Sequence, residues 1–184
     1  MLLYKSQVLS YIESGTPGYY HTALSVIRLL DRVQERFLRK LQLSEEDALL
    51  YFNLAPLCSR RDIAMLGLLH RITLGLAPPQ LTVLFPFQHS TQYRYSTRLA
   101  IRRHAFQFIE PIFHTDIFRR SLFGLTVIYN LLSSSVIQAK TVKQFQHNLQ
   151  AALMKASSEA LSRWQWLFSP SNRPCDAFTF QRFF

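Results

Sequence analysis

Residues 22 to 43, TALSVIRLLDRVQERFLRKLQL, constrain the fold of this chain more than any other stretch. Val26, Leu30, Val33, Phe37 and Leu41 recur at steps of four, three, four and four, the period of one face of an α-helix. At roughly 100° per residue they fall in one stripe, and Arg28, Arg32, Arg36 and Arg39 fall in another, rotated by well over 90°. The segment reads as a long amphipathic helix with an apolar front and a basic back. A second segment of the same kind spans residues 141 to 164, with Val142, Phe145, Leu149 and Leu153 on one face.

Between them lie shorter helical signals. Ser44 with Asp47 three residues on resembles a capping box, so a short helix starts there and fades before Pro56. Ser59 and Asp62 repeat that spacing and place Arg60 and Arg61 in the first turn of a helix that Gly75 and Pro78-Pro79 end. Its interior, Ile63 to His70, is almost wholly apolar but far short of the roughly 20 residues a membrane span needs. It reads as a core helix. Residues 76 to 97 carry prolines without a helical period and read as an exposed connection. Residues 99 to 111 fit a helix through Ala100, His104 and Phe108, or less well a strand. DIFRRSLFGLTVIYNLL reads as one helix capped by Asp116. The expected architecture is all-α, an irregular bundle of five to six helices with one long proline-containing loop. One domain spans residues 1–168, and a loose tail without packed structure follows from Ser169 to residue 184.

Composition narrows the function. A chain of 184 residues with 48% hydrophobic and 14% aromatic content has the material for a core and does not read as disordered. Lys and Arg number 21 against 11 acidic residues, a net charge of +10, and 16 of the 21 are Arg. A balance this basic points to nucleic acid or, less often, to an anionic membrane surface. Cys58 and Cys175 stand far apart without metal-ligand spacing, the N-terminus lacks the pattern of a signal peptide, and no segment reads as membrane-spanning. An intracellular protein, nuclear or cytoplasmic, is therefore expected.

Catalytic constellations are missing from the sequence. Asp31, Asp47, Asp62, Asp116 and Asp176 are dispersed, and three of them sit at helix starts, where capping explains them. The histidines are scattered, and His70 reads as a satisfied core histidine. Ser133-Ser134-Ser135 and Cys58 lack a partner base, and no glycine loop suits a phosphate. No cofactor or metal is expected. What remains is the basic set: the four arginines of the first helix, Arg60-Arg61, then Arg94, Arg98, Arg102 and Arg103, then Arg119-Arg120. Tyr93, Tyr95 and Phe106 are interleaved and able to stack on unpaired bases. Read functionally, this is a sequence-independent, salt-sensitive grip on phosphates; read blandly, it is a solvated basic surface.

LLDRVQERFLRKL, LAPLCSRRDIAMLGLLHRITLGLAPPQL, STRLAIRRH, RRSLFGLTVIYNLL and KTVKQFQHNL occur in that order. Together they resemble the C-terminal, thumb and post-thumb region of LINE-like non-LTR retrotransposon reverse transcriptases, over roughly residues 20 to 155. By that resemblance Arg60-Arg61 matches the family's Arg-Arg, Thr97-Arg98 its Thr-Arg, and Gln34 the glutamine of its first helix. Tyr129-Asn130-Leu131-Leu132-Ser133 departs from the family's Trp-Asn-x-Leu-Pro. The palm carboxylates that hold catalytic metal lie outside the region of resemblance, so the resemblance implies a truncated accessory piece that is not itself an enzyme. Its expected partner is RNA or an RNA–DNA hybrid, bound through Arg28, Arg32, Arg36, Arg39, Arg60, Arg61, Arg98, Arg102, Arg103, Arg119 and Arg120. The competing expectations are a protein-interaction or self-associating module, whose apolar surface is bare without polymerase neighbours, and a relic open reading frame without selected function.

Overall fold

A computed structural model of the chain describes residues 1–87, 104–159 and 161–170. The sequence expectations for Tyr93, Arg94, Tyr95, Thr97, Arg98, Arg102, Arg103, Cys175 and most of the C-terminal tail lie outside the described residues. Within them the protein is all-α. A π-helical stretch, Tyr4–Leu9, runs into α1 (Ser10–Ser14) and α2 (Thr16–Tyr19). Then come α3 (Leu24–Lys40), α4 (Glu45–Phe52), α5 (Leu57–Thr73) and α6 (Pro79–Leu84). After the undescribed segment follow α7 (Asp116–Arg119), α8 (Leu122–Leu131), α9 (Ser134–Ile137), α10 (Val142–Ser158) and a 3-10 turn, Trp164–Trp166.

The hub is α5. It packs most extensively on α10 and next on α8, and it is buried on most sides, as an apolar run closed by charge at both ends requires. Leu66, Leu69 and Ile72 meet Leu125, Tyr129, Phe145, Leu149 and Leu153 in the main core. Gly75, at φ +69°, ends the helix in the left-handed conformation that glycine adopts without a Cβ penalty. His70 is the satisfied core histidine expected: Nδ1 lies 2.9 Å from the Tyr129 hydroxyl and Nε2 2.9 Å from the Ala139 carbonyl oxygen. Its ring stacks on Phe145 at 4.2 Å. A smaller core joins Tyr4, Leu9 and Ile12 to Leu38, Ala48, Leu54 and Leu57, with Tyr4 stacked on Phe37 at 4.0 Å.

Four local expectations are corrected. Helix α5 begins at Leu57 behind Pro56, so Ser59 and Asp62 are not its cap; Ser59 Oγ donates to the Gln165 carbonyl oxygen at 2.6 Å instead. The segment expected as one helix from Asp116 breaks in two, because Thr115 caps α7 and Ser121 caps α8. Residues 104–110 are not helical. Phe108 bridges Phe87, and the Asn130 side chain clamps its backbone, accepting from the Phe108 N–H and donating to its carbonyl, both at 2.9 Å. Phe168, Ser169 and Pro170 are buried.

The fourth correction concerns α3. Its helix is as expected, but the buried face is centred on Ile27, Gln34 and Leu38, while Val26 and Val33 stand 49% and 40% exposed. The helix is turned by about a quarter turn from its expected apolar stripe. Two polar anchors hold it there. Gln34 Nε2 donates to the Ala55 carbonyl oxygen at 3.0 Å, and Asp31 accepts both nitrogens of the Arg61 fork at 2.6 and 3.1 Å. The arginine stripe faces solvent in either setting.

Candidate nucleic-acid interface

The interface starts from the back of α3. Arg28, Arg32, Arg36 and Arg39 are all exposed, and among the described residues no carboxylate pairs with any of them. The spacing of four, four and three keeps them on one side of the helix. At 1.5 Å per residue the ladder is about 16 Å long, and unpaired guanidinia at this spacing suit a row of phosphates.

The remaining candidates divide. Arg60, on α5, is half-buried and paired with Glu13 of α1. Arg61 is only 5% exposed and committed to Asp31, so it is a structural tie rather than a surface contact. This corrects its reading as a phosphate ligand. Burial works against its charge, but the hydrogen bonds and charge of Asp31 outweigh that, and its ionised form is held more firmly than usual. Arg119 is exposed, 3.5 Å from Asp116. Phe106 is 47% exposed, as a stacking residue must be.

Arg120 is where the structure adds something. It is half-buried at the junction of α7 and α8, and it shares the lining of a cleft of about 380 Å³ with Arg28 and Arg32 of α3. Trp166, 43% exposed, and Pro170 line the same cleft. Residues 92 positions apart, Arg28 and Arg120, thus flank one opening. Trp166 was invisible as a site residue in the sequence; the only signal was two tryptophans in Trp164-Gln165-Trp166.

Beneath this opening lies a buried polar network. The Tyr20 hydroxyl donates to Asp62 Oδ1 at 2.7 Å, with the Arg61–Asp31 pair and Cys58 beside it. Burial pushes the Asp62 carboxyl up to about 7, against the Tyr20 hydrogen bond and the Arg61 charge, which favour the carboxylate. Burial and the two aspartates likewise push the Cys58 thiol up to about 12, so it is no nucleophile at neutral pH. Because the folded pKa of Asp62 exceeds its unfolded value of about 3.9, its contribution to stability is complete below pH ~4 and fades as pH rises through about 7. Burial lowers the pKa of His70 and His104, which act oppositely and weaken the fold as pH falls. The Asp62→Asn variant keeps an acceptor for Tyr20 and isolates the Asp62 part. We expect the difference in urea-unfolding stability, variant minus wild type, to grow with pH from 4.5 to 7. The slope is at most ~1.4 kcal/mol per pH unit, and a difference that stays flat would contradict the buried, protonatable carboxyl.

Among the described residues no cluster of His, Cys, Asp and Glu is arranged to hold a metal ion, and no helix is long and apolar enough to cross a membrane. No family model, curated protein or solved structure matches the chain.

Proposed function

We propose that the protein is a non-catalytic helical fragment of a retrotransposon reverse transcriptase that holds template–primer nucleic acid, RNA or an RNA–DNA hybrid, without sequence preference. It acts inside the cell, in nucleus or cytoplasm, with the polymerase's other domains or a second copy of the chain as its protein partners. What carries this reading is the ladder Arg28, Arg32, Arg36 and Arg39: four exposed guanidinia on one side of α3, unpaired among the described residues. Its length faces about five base-pair steps of 3.4 Å. The motif order from residue 20 to 155 supports the family assignment.

The test is fluorescence anisotropy of the full chain with a short RNA–DNA hybrid at several salt concentrations. If about four phosphates are neutralised, affinity falls roughly a hundredfold between 50 and 200 mM salt. An Arg28→Glu, Arg32→Glu, Arg36→Glu variant loses binding altogether. No binding at low salt by a chain shown to be folded by circular dichroism would sink the proposal.

One observation favours a second reading. Val26, Leu29 and Val33 of α3 are 49%, 56% and 40% exposed beside the arginine ladder, an apolar strip suited to protein contact. Association through that strip holds or strengthens under salting-out conditions, so the same salt series separates the two.

A further inference from the structure

We propose that the cleft between α3, the α7–α8 junction and the Trp164–Trp166 turn binds a nucleoside monophosphate, with the base against Trp166 and the phosphate among Arg28, Arg32 and Arg120. The inference deepens the nucleic-acid reading, since the group is either a free nucleotide or the phosphorylated end of a strand. Neither the ladder on α3 nor the motif order calls for such a pocket.

Size comes first. A cleft of about 380 Å³ lies within the roughly 300–1,000 Å³ of small-molecule sites. The lining is of two kinds. Ile27, Pro170 and the half-exposed indole of Trp166 give an apolar side, and a base stacks on an indole whatever its identity. The rim carries Arg28, Arg32 and Arg120 with one carboxylate, Glu35, an excess of two positive charges. The floor sets one cation, Arg61, against Asp31 and Asp62, so the lining keeps an excess of one positive charge when Asp62 is ionised and two when it is protonated. A phosphate monoester carries about −1.5 to −2 at pH 7, which matches the rim. A bare phosphate would leave the apolar wall unused, and a nucleoside would leave three guanidinia unused. The ligand that uses both is an aromatic phosphate monoester.

Isothermal titration calorimetry of the full chain with adenosine 5′-monophosphate, adenosine and inorganic phosphate tests this directly. The monophosphate is expected to bind at least tenfold more tightly than either of its parts. Trp166→Ala should weaken it about tenfold or more, the size of a lost base stack, and Arg120→Ala should do so comparably, both variants keeping the wild-type circular dichroism spectrum. Short single strands with and without a 5′-phosphate identify the source. Preference for the phosphorylated strand over the free nucleotide assigns the cleft to strand ends, and the reverse assigns it to free nucleotide; either supports the site. The inference is overturned if the folded wild type shows no saturable heat with the monophosphate up to several millimolar, or if Trp166→Ala binds it as tightly as wild type. Hybrid binding that persists in that event leaves the α3 grip standing. Monophosphate binding without hybrid binding removes the grip and keeps the cleft.

Discussion

Gly124→Ala is expected to lower the stability of this fold by about 3 kcal/mol, the upper end of what overpacking costs when backbone must move. A Cβ at position 124 would stand 1.6 Å from the carbonyl oxygen of Arg119 and 3.1 Å from Cβ of Pro170. The first of these atoms is backbone and has no rotamer to escape into. It is there because the chain reverses between α7 and α8: Ser121 caps α8, and the Gly124 N–H donates to the Ser121 carbonyl oxygen at 3.0 Å. Relief requires opening that junction, which carries Arg120 and supports Pro170. In a domain of this size a kilocalorie corresponds to roughly 2–4 °C in Tm, so thermal unfolding should fall by about 6–12 °C. Gly18 is the matched control, because a Cβ there meets nothing within 4 Å; Gly18→Ala should leave Tm unchanged or raise it slightly by restricting the unfolded chain. Equal midpoints for the two variants would mean that the α7–α8 junction is not packed as described.

The same junction shows where the sequence was readable and where it was not. The existence of α3 and α10 followed from period alone, because apolar residues at helical spacing in long segments admit few other structures, and that of α5 from an apolar run stopped by Gly75 and Pro78-Pro79. Ser44 and Asp47 fixed the start of α4 because a capping box is local, complete within four residues. The break before α8 was hidden because apolar spacing runs across Arg119–Leu122 without a proline or glycine to mark it. The cap there is a single serine, too common a residue to stand out. The setting of α3 was hidden for a different reason. Its rotation is decided by Gln34 on the Ala55 carbonyl and Asp31 on Arg61, partners 21 and 30 residues away, which no window on the helix contains. The candidate interface divides along the same line: the exposed ladder on α3 is a property of one helix and was legible, whereas the cleft joins α3 to Arg120 and Trp166 and exists only once the chain has folded.

Arg61 is the residue whose sequence reading and structural role differ most, and its removal should be among the most damaging changes available. As one of two adjacent arginines at a helix start it reads as surface charge. In the structure its guanidinium is buried and forks onto Asp31, holding α3 to α5. Arg61→Ala should therefore cost about 3 kcal/mol, the low end of the 3–5 kcal/mol for breaking a buried pair, because Asp31 keeps 22% of its side-chain exposure and recovers some solvation. Arg61→Lys should cost about half as much, since an ammonium retains the charge but not the two parallel hydrogen bonds. The network carries a second consequence. Arg61 is one of the two influences holding down the pKa of Asp62, so its loss drives that carboxyl further toward the protonated state. The Arg61→Ala defect should thus be larger at pH 8 than at pH 5, where Asp62 is already neutral. Urea unfolding at both pH values reads the size and the pH dependence together. A change under 1 kcal/mol, or a defect that shrinks as pH rises, would show Arg61 to be the solvated surface arginine that its sequence context suggests.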